Sequence, residues 1–336
     1  MLKHKWALLG TILITITGCG GGSPHSPQEK YYFLSANVKI PYWQAAANGL
    51  SSAAAQMQVR AEMVGPDTYD TQALQQEFHR LLGLQEKPAG ILISVADPTL
   101  MKGEIDQAIA AGIPVITADS DSPASKRLLF IGTNNYQAGV MGGQVLARQL
   151  QGKGNVVVFT MPGQSNLAER LNGYKFALAQ NPQIKIVDVV DIKGDSRIAF
   201  DTTMEIVEKR RDKIDGFVCL EALAGKEVAE VLDRNKVTGK TVIAMDTDEN
   251  TLNWIQKGVI AATIAQKPFT MAYYGLKMLD NLYHQKPRTL DINWAQDPFS
   301  TLPTFVDTGA TLIDKSNLAD FIKARDSATA DAKKSR

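Results

Sequence analysis

Val242-Ile243-Ala244-Met245-Asp246-Thr247-Asp248-Glu249-Asn250-Thr251-Leu252-Asn253-Trp254-Ile255-Gln256-Lys257-Gly258-Val259-Ile260-Ala261-Ala262-Thr263-Ile264-Ala265-Gln266-Lys267-Pro268 is the stretch that decides the fold. It opens on a short apolar run with the length and composition of a buried strand, stopped by Asp246 and a second carboxylate at Asp248. Leu252 and Ile255 then repeat at helical spacing, Gly258 breaks the helix, and a second apolar run ends at Gln266-Lys267-Pro268. Strand, acidic turn, helix and strand make a βαβ unit with polar groups at the carboxyl ends of its strands, the edge where open α/β sheets receive ligands.

The same strand and acidic turn occur earlier. Val115-Ile116-Thr117-Ala118-Asp119-Ser120-Asp121 parallels Val242 to Asp248, with the leading aspartates 127 residues apart, about the length of one small α/β lobe. The chain therefore reads as two α/β lobes, each offering a carboxylate to one cleft. Taken alone, Asp119 or Asp246 reads equally well as a cap on the next helix or turn.

The rest of the chain keeps the rhythm. Short apolar strands alternate with helices from Tyr31 onward, as in a parallel sheet covered on both faces. Leu74, Phe78, Leu81 and Leu82 share one helix face. Gly139, Gly142 and Gly143 lie inside the helix predicted over 136–150, so they read as helix-packing residues and not as a phosphate loop. Two short β-like pieces are expected near 290–294 and 304–306, and a disordered polar tail over 324–336.

The N-terminus reads as a targeting segment. Lys3, His4 and Lys5 precede an apolar run, Trp6 to Ile16, too short to span a bilayer. Ile16-Thr17-Gly18-Cys19 resembles the lipobox of bacterial lipoproteins, which implies cleavage before Cys19 and lipidation of its thiol; an ordinary secretory signal is the alternative. Residues 19–30 read as a flexible tether. The other cysteine, Cys219, sits in an apolar run and reads as a small buried hydrophobe.

Composition removes several function classes. The 336 residues carry a net charge of +1, which gives no footprint for nucleic acid or an anionic membrane surface. The four histidines, His4, His25, His79 and His284, show no metal-ligand spacing, and no metal or cofactor is expected. Gly163-Gln164-Ser165-Asn166-Leu167 starts like a nucleophile elbow but lacks the second glycine, and there is no Walker A loop, strand-following G-x-G-x-x-G or H-E-x-x-H. The chain is read as a binding protein and not an enzyme.

A site for a neutral polyol needs carboxylate acceptors, charge-assisted donors and flat apolar faces. Tyr42 and Trp43 follow the first strand, Asp119, Glu221 and Asp246 end later strands, and Arg170 and Arg197 lie near helix starts. Core packing is the alternative for Tyr42 and Trp43, and a solvated helix face for the arginines. Asp119, Asp121, Glu221 and Asp246 against Arg170 and Arg197 leave the cleft at about minus two, which disfavours an anionic ligand.

Taken together, Ile40 to Trp43, Gly112 to Asp119, Gly132 to Gly139, Ala168 to Gly173 and Ala261 to Gln266 give the span from Tyr31 to Lys323 a family likeness. It resembles a type I periplasmic-binding protein of the ribose/galactose sugar-binding family, as found in the lipid-anchored binding components of bacterial sugar ABC transporters. The resemblance implies an α/β fold of two Rossmann-like lobes, parallel sheets flanked by helices and joined by a three-strand hinge. The lobes would be residues 31–134 with 267–307, and 135–266 with 308–323. It further implies that Tyr42 and Trp43 pack on a sugar ring and that Asp119, Asn135, Arg170, Glu221, Asp246 and Gln266 hold its hydroxyls. Ile40 and Ser120 stand where the ribose-binding branch has Asn and Arg, and Glu221 where the family has Asn or Asp, which points away from ribose itself. The expected role is a monomeric carrier of a monosaccharide or similar polyol, lipid-anchored in the cell envelope on a periplasmic or extracytoplasmic face, with an ABC permease as partner. The alternatives are a sensor subunit reporting to a chemoreceptor or histidine kinase, a transcription regulator, which would need a helix-turn-helix where this chain has a signal segment, and a glycan-processing enzyme.

Overall fold

The computed structural model describes residues 25–334 other than 27, 288, 291 and 295, so the signal segment and Cys19 lie outside the described residues. The first series runs β1 (Lys30–Leu34), α1 (Pro41–Met57), β2 (Arg60–Val64), α2 (Thr71–Leu82), β3 (Gly90–Ile93), α3 (Pro98–Ala110), β4 (Val115–Ala118) and β5 (Phe130–Gly132). The chain then crosses over. It continues as α4 (Asn135–Gln149), β6 (Lys153–Thr160), α5 (Ser165–Leu178), β7 (Gln183–Asp191), α6 (Ser196–Arg210), β8 (Gly216–Cys219), α7 (Ala224–Arg234), β9 (Thr241–Met245), α8 (Glu249–Lys257) and β10 (Ala262–Ala265). It crosses back for α9 (Pro268–His284) and β11 (Phe305–Asp307), and once more for β12 (Thr311–Asp314) and α10 (Leu318–Lys334).

Among the described residues the strands form two six-stranded sheets, ordered β11-β5-β4-β3-β1-β2 and β12-β10-β9-β8-β6-β7. Pairing is parallel throughout the first sheet. In the second, β12 alone runs antiparallel, against β10. The protein is thus two α/β lobes, each a sheet flanked by helices. β3 and β4 are buried at every residue, as uninterrupted apolar strands covered on both faces must be. Cys219 is fully buried at the end of β8.

Each lobe is tied by a pair of helices whose backbones touch. A Cβ on Gly139 of α4 would stand 2.0 Å from the carbonyl oxygen of Arg170 on α5, and one on Gly173 of α5 would stand 2.1 Å from that of Tyr136. The glycines inside α4 therefore let α5 approach, the packing role read from their position. Gly49 of α1 plays the same part against the Phe269 carbonyl of α9, at 2.1 Å.

Three expectations change. The tail over 324–336 is not disordered as far as it is described, because α10 continues to Lys334. Residues 290 and 292–294 lie in bends, a turn and irregular backbone, with no strand at the described positions. The tether over 19–30 is not flexible along its whole length. His25 bonds Asp280 at 3.2 Å, Glu29 is buried and bonds His284 at 3.0 Å, and Lys30 already belongs to β1. One carboxylate and one imidazole on α9, Asp280 and His284, tie this segment down.

Candidate functional site

Asp119 follows β4 and Asp246 follows β9, and both hold φ at 67°. Left-handed backbone is costly for most L-residues and tolerated by aspartate, and such strain gathers where a side chain has to be aimed. In each turn the amide still bonds to the neighbouring strand, Asp119 to the Ile131 carbonyl at 3.0 Å and Asp246 to the Ile264 carbonyl at 2.9 Å. The side chains are thereby freed from capping. Asp248 caps α8 through the amides of Asn250 and Thr251, and after Asp119 the next element is a strand.

Both carboxylates face one cavity between the lobes. Tyr42, Trp43, Arg170, Glu221 and Gln266 share its wall. From the first lobe, Tyr42 donates to Asp119 at 2.5 Å and Ser94 at 3.3 Å; from the second, Asn166 donates to the same carboxylate at 3.4 Å. Trp43 lies edge-on to Tyr42 at 5.0 Å and to Phe33 at 5.8 Å, so it is both cavity wall and core.

Arg170 is among the largest fully enclosed side chains. Its Nε donates to Asn135 Oδ1 at 2.9 Å, one terminal nitrogen to the Leu220 carbonyl at 2.7 Å, and the other to Gln266 Oε1 at 2.5 Å. Gln266 in turn donates to Asp246 at 3.0 Å. The arginine thus fixes the amide orientation of Gln266, and Gln266 orients the aspartate.

Of the expected contact residues, one stands outside the cavity wall and one within it is already engaged by backbone. Asn135 is not in the cavity wall; it stands behind Arg170 and holds its Nε. Glu221 lines the cavity, but its two oxygens accept the amides of Leu223 and Ala224, so it caps the start of α7. Arg197 pairs with Asp195 on the surface, and Asp121 is held by a two-point bond to Arg127 at 2.6 Å. Both leave the cavity, and with opposite signs, so its balance stays at three carboxylates against one guanidinium. Sequence reading missed Ser94, Asn166, Gln164 and Tyr69. Asn166 and Gln164 sit in the stretch weighed only as a failed nucleophile elbow, and Tyr69 meets Gln164 at 3.3 Å across the lobes. Ser120, where the ribose-binding branch has Arg, is buried against Ser165 of the second lobe and does not line the cavity.

Burial dominates the electrostatics. It raises Asp246 to about 7, against the pull of Arg170 and the Gln266 bond, and Glu221 to about 7, against its two backbone amides. Asp119 is raised for the same reason, opposed by Arg170. Because the folded values lie above the unfolded ones, these groups favour folding most below about pH 4. That contribution is lost as the pH rises through about 7. A ligand hydroxyl donating to Asp246 favours its ionised form. Binding of a neutral polyol is therefore expected to release protons below pH 7 and to be several-fold tighter at pH 8 than at pH 6. Calorimetry in buffers of different ionisation enthalpy measures both; affinity independent of pH would show that no ligand hydroxyl meets these carboxylates.

The two hinged α/β lobes with paired acidic turns in the cavity between them define a solute-binding protein. The profile of the periplasmic binding protein domain matches residues 31–287, and the chain belongs to that family. An arabinose-binding protein from Geobacillus stearothermophilus is 33% identical, with a TM-score of 0.69 over 88% of this chain and 99% of that one. An ABC transporter solute-binding protein from Burkholderia graminis, in complex with D-arabinose, is 27% identical, with a TM-score of 0.77 over 86% and 96%. XylFII in complex with LytSN is 28% identical, with a TM-score of 0.75 over 86% and 98%. Membership in this family implies an extracytoplasmic location.

Proposed function

We propose that the protein captures a neutral monosaccharide or similar polyol in the interlobe cavity and delivers it to an ABC transporter permease, anchored to the membrane by lipid on Cys19. The observation that carries this reading is the meeting of Asp119 from one lobe with Asp246 and Arg170 from the other, beside the Tyr42–Trp43 wall. Carboxylates accept hydroxyl protons, a guanidinium donates to hydroxyl oxygens, and the aromatic faces cover sugar C–H groups. The relatives bound to or named for arabinose support pentoses as the first compounds to try. Tyr42, Trp43, Asp119, Asn166, Arg170, Asp246 and Gln266 are the residues proposed to touch or align the ligand, with Asn135 positioning Arg170. The protein would act as a monomer.

The test is a thermal-shift screen of the chain from residue 20, which keeps the packed segment from His25, against pentoses, hexoses, deoxysugars and polyols. A ligand at 1,000 times its dissociation constant adds about 4.1 kcal/mol. At roughly 2–4 °C per kcal/mol the melting temperature rises by about 8–16 °C. A flat response across all of them would remove the sugar reading.

Capture in this reading requires closure, which a ligand drives by preferring the closed form. Gly194 (φ 73°) of the second lobe faces Tyr69 of the first, and a Cβ there would stand 2.5 Å from the tyrosine Cβ and Cγ. Gly194→Ala is therefore expected to cost about tenfold in affinity, near 1.4 kcal/mol, measured by titration; wild-type affinity would show that closure does not bring these residues together.

A sensor role is the second reading. It is favoured by the neighbour seen in complex with LytSN, an instance of this fold docked onto another protein. Loss of sugar uptake on deleting the gene supports the transporter role; intact uptake with loss of a sugar-induced response supports the sensor.

A further inference from the structure

The histidines that show no spacing in sequence are partly brought together by the fold. His25 and Glu29 from the N-terminal segment meet Asp280 and His284 from the last turns of α9, and one ligand-type atom from each lies within 4.8 Å of the others. His25 Nε2 is 3.1 Å from Asp280 Oδ1; His284 Nε2 is 3.0 Å from Glu29 Oε2 and 3.6 Å from Asp280 Oδ1. A tetrahedron around a cation with metal–ligand bonds of about 2.0–2.1 Å has edges of roughly 3.3 Å; these three separations bracket that value, and the remaining pairs, within 4.8 Å, draw in around a bound ion.

The carboxylates are individually braced. Glu29 Oε1 accepts the Ser26 amide, leaving Oε2 toward the imidazole. Asp280 Oδ1 accepts the hydroxyl of Tyr31, itself fully buried, at 2.8 Å. Such outer hydrogen bonds fix ligand orientation in metal sites. Asp280 and His284, four residues apart on α9, project from one helix face. Glu29 and Asp280 are both largely enclosed, at 5% and 14% side-chain exposure. With neutral imidazoles the group carries two negative charges, which one divalent cation balances.

We propose that His25, Glu29, Asp280 and His284 form a four-ligand site for a divalent transition cation, zinc by its two-imidazole, two-carboxylate donor set. The bound ion clips the N-terminal segment to α9, on the first lobe and apart from the interlobe cavity. This site is independent of the proposed ligand.

The test uses the full chain in detergent, without a polyhistidine tag and stripped with chelator, titrated calorimetrically with zinc chloride. One saturable site is expected, with zinc slowing proteolytic cleavage before β1. His284→Gln and His25→Asn are each expected to lower zinc affinity at least 100-fold, with far-UV circular dichroism unchanged. Tyr31→Phe, which keeps all four ligands and removes the brace, is expected to lower it by about 10–100-fold. No saturable binding in the wild type would overturn the proposal, as would binding that survives both histidine substitutions.

Discussion

Arg170→Ala is expected to weaken ligand binding by at least two orders of magnitude, about 3 kcal/mol, and to lower the melting temperature by several degrees. The side chain holds three acceptors at once: Asn135 Oδ1, the Leu220 carbonyl and Gln266 Oε1. An orphaned buried acceptor costs about 1–3 kcal/mol, reduced where water enters the vacated space. Burial makes Arg170 a structural member of the second lobe as well as a ligand donor. Asp246→Asn separates the two effects. It loses the carboxylate that accepts a ligand hydroxyl but keeps a residue that tolerates the left-handed backbone at φ 67° and an oxygen for Gln266, and it removes an ionisation that burial opposes, so at pH 8 its melting temperature is expected to match or exceed that of the wild type. Titration and thermal melting of both variants check this. Equal destabilisation by the two would contradict the arrangement.

Gly139→Ala is expected to damage fold and binding together. The added Cβ would lie 2.0 Å from the carbonyl oxygen of Arg170, so α4 and α5 must separate. Overpacking of this kind costs about 1–3 kcal/mol or more, and backbone offers no rotamer to relieve it. The same shift displaces the residue that aims Gln266 and Asp246, so affinity is expected to fall at least tenfold. Gly103→Ala is the control. It is exposed inside α3 with nothing within 4 Å of the new Cβ, and a helix-interior alanine there is expected to stabilise by about 1 kcal/mol. Melting curves and titrations of both variants decide. A wild-type melting temperature for Gly139→Ala would mean that the helices are not in backbone contact.

The two-lobe fold was legible because its signals are local. Apolar runs of strand length alternate with helical patterns, and the acidic turns at Asp119 and Asp246 announce the same unit twice. The left-handed backbone at both aspartates is the shared geometry behind that repeat. What escaped sequence reading depends on apposition. Asn166 reaches Asp119 only because α5 of one lobe faces β4 of the other, and Tyr69 finds Gln164 across the same gap. Glu221 has the composition of a ligand acceptor, but the amides of Leu223 and Ala224 reach it first, two and three residues along the chain. His284 and Glu29, 255 residues apart, carry no periodicity that could connect them.

The central claim is that the cavity, with three carboxylates facing one guanidinium, holds a neutral sugar between the lobes. Isothermal titration at pH 8 with neutral pentoses and hexoses, each paired with its carboxylated counterpart, tests it most directly. The account predicts one-to-one binding of a neutral monosaccharide and at least 100-fold weaker binding of the matching acid, which would bring a fourth negative charge into the site. Tighter binding of the acid, or no heat from any neutral sugar, would contradict it.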